Sequence, residues 1–211
     1  MKHLSLKEKA YHIIKEKLME MEFEPGSRIR EDFLAEEIST SRTPVREAIN
    51  QLTAEGFINN IPRRGLFFNK IKKEEIKDLL DVREALEILA VGKCIEKISV
   101  EQIKNLEKIL DEIKRALKEE KYVRCNELDS IFHKEIAKVS GNKKLIDFCN
   151  DIEDWMHIAR AMEKETHTRE KTKTSLKEHW SILKCIKNKD RLGAEKAMRN
   201  NIMSMKRNLG I

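Results

Sequence analysis

The chain has 211 residues, of which 40% are hydrophobic and 38% are charged, and its formal net charge is +6 at pH 7. Its few turn-forming residues, 7 Gly and 3 Pro, argue against an all-β fold and favour a helix-rich protein. The 4 cysteines include no Cys-x-x-Cys pair, so we expect reduced thiols rather than a disulfide framework. No run of about 18 apolar residues occurs, and the N-terminus lacks an apolar segment, so we expect a cytoplasmic protein without a membrane span.

The positive net charge suits a polyanionic partner, but it does not locate the surface that would bind one. Residues 1–70 contain nearly equal numbers of basic and acidic side chains, and most of the positive excess lies in the remainder. A nucleic-acid-binding surface must therefore be located from local clusters of cations.

Residues 1–71 are predicted to form a winged helix-turn-helix domain. Apolar periodicity predicts helices over residues 5–21, 31–38 and about 44–54, and short β-prone runs cover residues 57–61 and 66–69. Thr43 is the expected N-cap of the third helix, and Pro44 suits its first turn because the N–H there has no partner. Three helices followed by a hairpin are typical of this fold.

Residues 72–211 are predicted to form an all-α bundle of six or seven helices, because strand signals end near residue 71. The predicted helices cover residues 73–97, 100–119, 121–139, 143–163, 174–188 and 191–208. The polar stretch 164–173 is expected to be a break between helices. The whole chain is therefore expected to be mostly α, with an N-terminal winged domain and a C-terminal helical domain.

The start of the third helix is the predicted DNA-reading element. In a helix-turn-helix, residues near the N-terminus of the motif's second helix contact base edges in the major groove, and Arg42, Thr43 and Arg46 occupy that end. Arginine can bind guanine through two hydrogen bonds, worth about 1–3 kcal/mol of discrimination. The hydroxyls of Ser41 and Thr43 suit phosphate oxygens. These side chains could instead be solvated surface groups, but their position between a short helix and a basic hairpin favours DNA binding.

The turn of the predicted hairpin carries a second group of candidate DNA contacts. Arg63 and Arg64 lie at its tip and can reach the DNA backbone or minor groove. Gly65, which follows them, allows a close approach of the chain to its partner. We therefore expect this wing to bind DNA beside the reading helix.

A candidate metal site lies in the helical half of the chain. Asp129 and His133 are four residues apart and share one helix face, and His179 on another helix can supply a third ligand. A carboxylate with imidazoles is a common ligand set for divalent transition metals. The alternative is a hydrogen-bonded Asp–His pair without a metal.

The N-terminal motifs resemble the GntR family of bacterial repressors over residues 8–70. The matching motifs are Pro25-Gly26-x-x-Ile29, Leu34-Ala35-Glu36, the segment from Ser41 to Ala48, Leu52, Glu55-Gly56 and Pro62-x-Arg64-Gly65. Residues 73–208 resemble the FCD-type ligand domain of the FadR-like branch of that family. Its matching motifs are Asp81-Val82-Arg83-x-x-x-Glu87, the segment from Asp129 to His133, Ser140-Gly141-Asn142-x-x-Leu145 and Glu178-His179-x-x-Ile182.

The first resemblance implies that Arg42, Thr43, Arg46 and Gly65 contact operator DNA. A family position at the start of the second helix that is often arginine is Asp32 in this sequence. Arg30 is expected to supply the missing cation.

The second resemblance implies a Zn²⁺ or Ni²⁺ site. The family's further histidine ligand, from the last helix, is replaced by Asn201, and amide groups bind such ions more weakly. His157 would substitute if its helix faces the site. The resemblance also implies that Arg83 receives the carboxylate of an effector, whereas the sequence alone allows an ion pair with Glu87 or Glu84.

These expectations combine into an effector-responsive, DNA-binding repressor. It would act as a homodimer on palindromic operator DNA, and its effector would be an organic acid. The alternatives are a metal-responsive regulator, in which the ion is the signal, and a small metal-dependent hydrolase using Asp129, His133 and His179. The sequence has no His-Glu-x-x-His motif, Gly-rich phosphate loop or nucleophile elbow, so we expect a protein that is not an enzyme.

Overall fold

The computed structural model describes residues 4–162 and 168–211, and the chain divides into two compact units, Met1–Ile71 and Lys72–Ile211. Across the described residues, no helix combines the length and the apolar character that crossing a membrane requires. The predicted fold class, a winged helix-turn-helix followed by an all-α bundle, is confirmed.

The first unit contains three helices and three short strands within its described residues. In chain order these are α1 (Leu6–Met19), β1 (Arg28–Ile29), α2 (Glu31–Glu37), α3 (Arg42–Ala54), β2 (Ile58–Ile61) and β3 (Gly65–Phe68). Helices α2 and α3 form the helix-turn-helix, and β2 and β3 form the wing. Strand β1 was not predicted, because two residues are too few to show a period; it pairs with β3 to give the order β1-β3-β2.

Apolar residues at helical and strand spacing build the core of this unit. Ile14 and Leu18 of α1 and Ile49 of α3 are fully buried, and Phe68 of β3 is 1% exposed. A capping box, in which Ser5 and Glu8 exchange hydrogen bonds, begins α1. Helix α1 packs on α3, so the buried face of α3 is fixed and its opposite face, with Arg42 and Arg46, is left exposed.

Helix α3 begins two residues earlier than predicted. Its first residue is Arg42 and its N-cap is Ser41, so the prediction of Thr43 as the N-cap is wrong. Pro44 lies in the first turn, where its missing N–H leaves no hydrogen bond unmade. Arg42 and Arg46 are therefore both inside the helix, one turn apart.

The second unit contains six helices within its described residues. They are α4 (Lys73–Lys97), α5 (Val100–Lys118), α6 (Tyr122–Val139), α7 (Lys143–Met162), α8 (Arg169–Lys187) and α9 (Arg191–Leu209). Helix α4 packs against α6, α7, α8 and α9 and is the central helix of the bundle. It carries two buried charged residues, Arg83 and Glu87, whose partners come from the surrounding helices.

The predicted break over residues 164–173 is wrong for its last part, because α8 already begins at Arg169. Thr168 is the N-cap, and its side-chain oxygen accepts a hydrogen bond from the backbone N–H of Lys171. Glu170 adds an acidic side chain in the first turn, which favours a helix start. Residues 164–167 of the predicted break lie outside the described residues. So does residue 163, where the preceding helix was predicted to end.

Candidate functional site

The predicted DNA contacts of the first unit lie at the start of α3, at the end of β1 and in the wing. Ser41, Arg42 and Thr43 are exposed, and Ser41 makes no side-chain capping bond to the first turn. The free N–H groups of that turn can therefore bind a phosphate oxygen.

Two of the arginines on this surface are held by neighbouring carboxylates. Arg46 Nη2 lies 3.1 Å from Glu31 Oε2, and its Nε donates to the same oxygen at 3.2 Å. Arg30 binds Asp32 through Nη2 and Nε at 2.6 and 3.2 Å. Asp32 stands at the position where the family often has arginine. Its carboxylate neutralises Arg30, which was expected to supply the missing positive charge.

The wing presents its arginines in different ways. Arg63 is exposed with a left-handed φ of 64°, and Gly65 has φ 104°, a conformation that favours glycine. The guanidinium of Arg64 lies 5.6 Å from the ring centroid of Phe67, a cation–π contact. The tip of the wing is therefore cationic and its backbone is suited to a tight turn.

The predicted metal ligands of the second unit converge. One ligand atom from each of Asp129, His133 and His179 lies within 4.8 Å of the others. The Nε2 atoms of the two histidines are 3.2 Å apart, and His179 Nε2 is also 3.2 Å from Asp129 Oδ1. Both histidines are almost completely buried, whereas Asp129 is partly exposed.

Glu87 orients His133 from the opposite side of its ring. Its Oε2 lies 2.5 Å from His133 Nδ1, and its Oε1 accepts a hydrogen bond from Arg83 Nε at 2.5 Å. A carboxylate at Nδ1 holds the proton there and leaves the Nε2 lone pair free to bind a cation, as is common for histidine ligands of metals. Sequence reasoning missed this role, and its only signal was the four-residue spacing from Arg83.

Glu153 and Arg160 of α7 complete the buried cluster, and the sequence did not reveal either. Arg160 lies 3.4 Å from Asp129 Oδ2 through Nη1, and its Nη2 donates to Ser130 Oγ at 2.5 Å. Glu153 bridges the two arginines, with Oε1 2.5 Å from Arg83 Nη2 and Oε2 3.2 Å from Arg160 Nη2. Single charges on a polar helix give no sequence signal of burial.

The burial and charges of this cluster set its protonation. Burial, reinforced by the charge of His133, lowers the pKa of His179 to about 4, although Asp129 opposes the shift. Burial also disfavours the charged form of His133, but the Glu87 carboxylate outweighs it and raises the pKa of His133. Burial would raise the pKa of Asp129, but His179 and Arg160 lower it overall. At neutral pH His179 is therefore a neutral imidazole beside an ionised carboxylate.

A cavity of about 90 Å³ opens beside the cluster. Its wall includes Arg83, Asp129, Arg160, His179 and Asn201. Arg160 Nε and His179 Nδ1 are buried, and neither has a hydrogen-bond partner among the described residues. The cavity has room for several water-sized groups and is polar enough to bind a small charged ligand.

Comparison with known proteins identifies both units. The pattern of the family described as "Bacterial regulatory proteins, gntR family" matches residues 6–68, and that of the "FCD domain" matches residues 78–203. This chain belongs to the GntR family and carries an FCD domain. It is a bacterial GntR-family transcriptional regulator and not an enzyme.

Relatives of this GntR regulator cover most of its length. The HTH-type transcriptional regulator YdhC of Bacillus subtilis (strain 168) is 28% identical over 189 residues, 88% of this chain and 82% of the relative. The gluconate operon transcriptional repressor of the same strain is 29% identical over 172 residues, 80% of this chain and 70% of the relative. The solved structure of Escherichia coli McbR/YncC has the same fold, with a TM-score of 0.88 at 20% identity and coverage of 99% and 98% of the two chains.

Regulators of the GntR family bind operator DNA, and FCD domains bind small-molecule effectors. The charged cluster lies within the residues that match the FCD pattern, and so does most of the cavity lining. Arg83, expected to receive an effector, lines the cavity and contacts Glu87, Glu153 and, through Nη1 at 3.2 Å, Met205 Sδ. Of the two sequence-based interpretations of Arg83, the ion pair with Glu87 is present in this structure, while Glu84 binds Arg199.

Asn201 also lines the cavity, but its amide is used elsewhere. Asn201 Nδ2 donates to Glu178 Oε2 at 2.9 Å, and Ser204 donates to the other oxygen of the same carboxylate. His157 of α7 is not part of the group of converging ligand atoms. Three potential metal-ligand atoms are thus brought together. Among the described residues, no further His, Cys, Asp or Glu side chain joins this group as a fourth ligand.

Proposed function

We propose that this regulator is a homodimeric repressor whose affinity for operator DNA changes when a small carboxylate binds in the cavity of its FCD domain. The convergence of Asp129, His133 and His179 beside that cavity, which Asp129 and His179 line, is the observation that carries the proposal. The gluconate operon repressor among its relatives supports an organic acid as the ligand, because gluconate is a carboxylate.

The ligand set supports a divalent transition-metal ion as part of the effector site. Two nitrogens bound to one tetrahedral Zn²⁺ are about 3.3 Å apart, and the histidine Nε2 atoms here are separated by 3.2 Å. Glu87 binds Nδ1 of His133, so the other ring nitrogen, Nε2, faces His179 and can offer its lone pair to the ion. Bound by these residues, Zn²⁺ or Ni²⁺ would supply a positive centre for a carboxylate oxygen.

The charge balance of the cluster also supports a cation and an anionic ligand. The cluster contains the buried charges of Arg83, Arg160, Glu87 and Glu153 and the partly exposed carboxylate of Asp129. The pKa values of all three carboxyl groups are lowered, so the cluster carries one net negative charge when both histidines are neutral, the form in which imidazole binds a metal. Adding a divalent cation reverses this charge, and a monoanionic carboxylate then restores neutrality, which favours their joint burial.

Arg160 is better placed than Arg83 to bind the effector carboxylate. The guanidinium of Arg83 is occupied by Glu87, Glu153 and Met205. Arg160 has a buried Nε without a partner in the described structure and lines the same cavity. We therefore assign the carboxylate contact to Arg160, with Arg83 holding Glu87 and Glu153 in position.

Metal content tests the ligand set directly. We expect purified wild type, dialysed against Zn²⁺ or Ni²⁺ and then against buffer, to retain about one ion per chain by elemental analysis. His133→Ala and His179→Ala should lose the ion because each removes one of three ligands. His157→Ala is the matched control and should retain it. Equal, negligible metal in all four proteins would contradict the metal site.

Thermal shifts test the effector. Gluconate added to the Zn²⁺-loaded protein should raise the melting temperature, because a ligand that binds only the folded state stabilises it. Arg160→Gln should reduce the shift, and Arg115→Gln, an exposed arginine of α5, should leave it unchanged. Operator affinity that responds to Zn²⁺ alone, and to no organic acid, would instead identify a metal-responsive regulator.

A further inference from the structure

A charged groove in the first unit lies between β1, the starts of α2 and α3, and the wing. Its charged lining consists of three arginines and two carboxylates, namely Arg28, Arg30, Arg42, Glu31 and Asp32. Gly65 forms part of its wall on the wing side. In a winged helix-turn-helix, the start of the recognition helix and the wing both approach DNA, so a groove bordered by them faces the duplex.

The two carboxylates of the groove are already used by other arginines. Asp32 binds Arg30 at 2.6 Å, and Glu31 binds Arg46 at 3.1 Å. Within residues 4–162 and 168–211, Arg28 and Arg42 form no ion pair. Arg42 belongs to the predicted reading element, which leaves Arg28 as an additional cation without an assigned role.

The strand pairing places Arg28 on the outer face of the small sheet. Arg28 lies opposite Phe67 of β3, and the next residue, Ile29, is 3% exposed and faces the core. Gly65 is on the same face of β3, two residues before Phe67. A Cβ placed on Gly65 would lie 3.4 Å from both Nε and Nη2 of Arg28, so the guanidinium crosses the space that a side chain at Gly65 would enter.

We propose that Arg28 binds a phosphate of the DNA backbone in this groove, in addition to the contacts expected from α3 and the wing tip. The inference rests on the DNA-binding role of the first unit. The planar guanidinium matches a phosphate with two parallel N–H donors. Arg28 gives up no ion pair when it binds DNA, whereas Arg30 and Arg46 must each exchange a carboxylate for the nucleic acid.

The inference assigns a second role to Gly65. Its positive φ suits the wing turn, and its missing side chain lets Arg28 extend over the wing toward the groove. Arg28 and Arg42 then border the groove as two cations that form no ion pair with the residues the structure describes. Such phosphate contacts fix the register of the protein on DNA without reading its sequence.

Salt-dependent binding of the full chain to a labelled DNA duplex of random sequence tests the proposal. A phosphate contact releases counterions whatever the base sequence, so an operator is not required. Arg28→Gln should reduce the magnitude of the slope of log Kobs against log [KCl] by about 0.9 for each DNA-bound copy of the first unit. Arg28→Lys should keep the wild-type slope, since it keeps a charge that can bind phosphate.

Arg115→Gln is the matched control, because it removes one exposed arginine from α5 and lowers the net charge equally. A wild-type slope in Arg28→Gln overturns the proposal, and so does an equal loss in Arg28→Lys and Arg28→Gln, which indicates a structural role. If wild type itself fails to bind the duplex, the DNA-binding role fails, and that outcome is distinct from both.

Discussion

At the scale of single residues, the two sites differ in how much the sequence reveals. Arg42 and Arg46 could be predicted as DNA contacts because the motif around them is local and continuous in the chain. Asp129, His133 and His179 were predicted as metal ligands from residue type and spacing, and the structure brings their side chains together. Glu153 and Arg160 were missed, and Glu87 was expected only as a partner of Arg83 and not of His133, because these roles depend on which helices face one another. A lone charge on a helix surface is ordinarily solvated.

Arg46 is expected to read a base. Its distance of one turn from the start of α3 suits a guanine edge, so Arg46→Ala should lose about 1–3 kcal/mol of discrimination between operator and scrambled duplexes. Arg64→Ala, at the wing, should weaken binding to both duplexes alike. Fluorescence anisotropy with the two duplexes measures this. Unchanged operator preference in Arg46→Ala would contradict the assignment.

Glu153 is expected to be essential to the stability of the FCD domain. It is 2% exposed and is the carboxylate that Arg83 and Arg160 share, so Glu153→Gln removes one ion pair from each arginine and leaves them Glu87 and Asp129 alone. Loss of one partner of a buried ion pair costs about 3–5 kcal/mol. Urea unfolding provides the measurement. Glu127→Gln, which breaks an exposed pair with Arg124, is the control and should cost no more than about 1 kcal/mol.

At the scale of secondary structure, the long elements were predictable and their ends only partly so. The start of α5 carries the capping residues Ser99 and Gln102, and the predicted and observed first residues agree. The start of α8 was placed five residues late, because its first turn is entirely polar and shows no apolar period. Strand β1 was missed because pairing with the distant β3, and not its own two residues, defines it.

The capping box of α5 gives a prediction at this scale. Ser99 Oγ accepts from Gln102 N at 3.1 Å, and Gln102 Oε1 accepts from Ser99 N at 2.9 Å. Ser99→Ala should lower the free energy of unfolding by about 1 kcal/mol. Ser99→Thr retains a capping hydroxyl and should unfold close to wild type. Equal losses in both variants would show that the cap is not the cause.

At the scale of the whole molecule, a regulator needs one unit that binds DNA and another whose ligand changes that binding. The family assignment supplies both roles, one for each compact unit of this chain. A ligand alters operator affinity only if it binds one arrangement of the protein more tightly than another. The identity of the ligand lies in the shape and charge of the FCD cavity, which no local motif in the sequence encodes.

The proposed homodimer predicts a solution mass of twice the 24.8 kDa chain. Reading a palindrome requires two recognition helices, about one helical turn of DNA or a multiple of it apart. Sedimentation equilibrium at micromolar concentration measures the mass, and the protein should protect two symmetric half-sites in a footprint. A monomer that occupies a single half-site would contradict the dimer.

Linkage between the FCD cavity and the DNA is the central claim, and operator affinity tests it most directly. The measurement is anisotropy of an operator selected from a random library, with Zn²⁺-loaded protein and the organic acid that gives the largest thermal shift. We predict a 5- to 150-fold change in affinity, on the order of 1–3 kcal/mol of coupling, in wild type and none in His133→Ala. Identical operator affinity in wild type with and without a ligand that demonstrably binds would contradict the account.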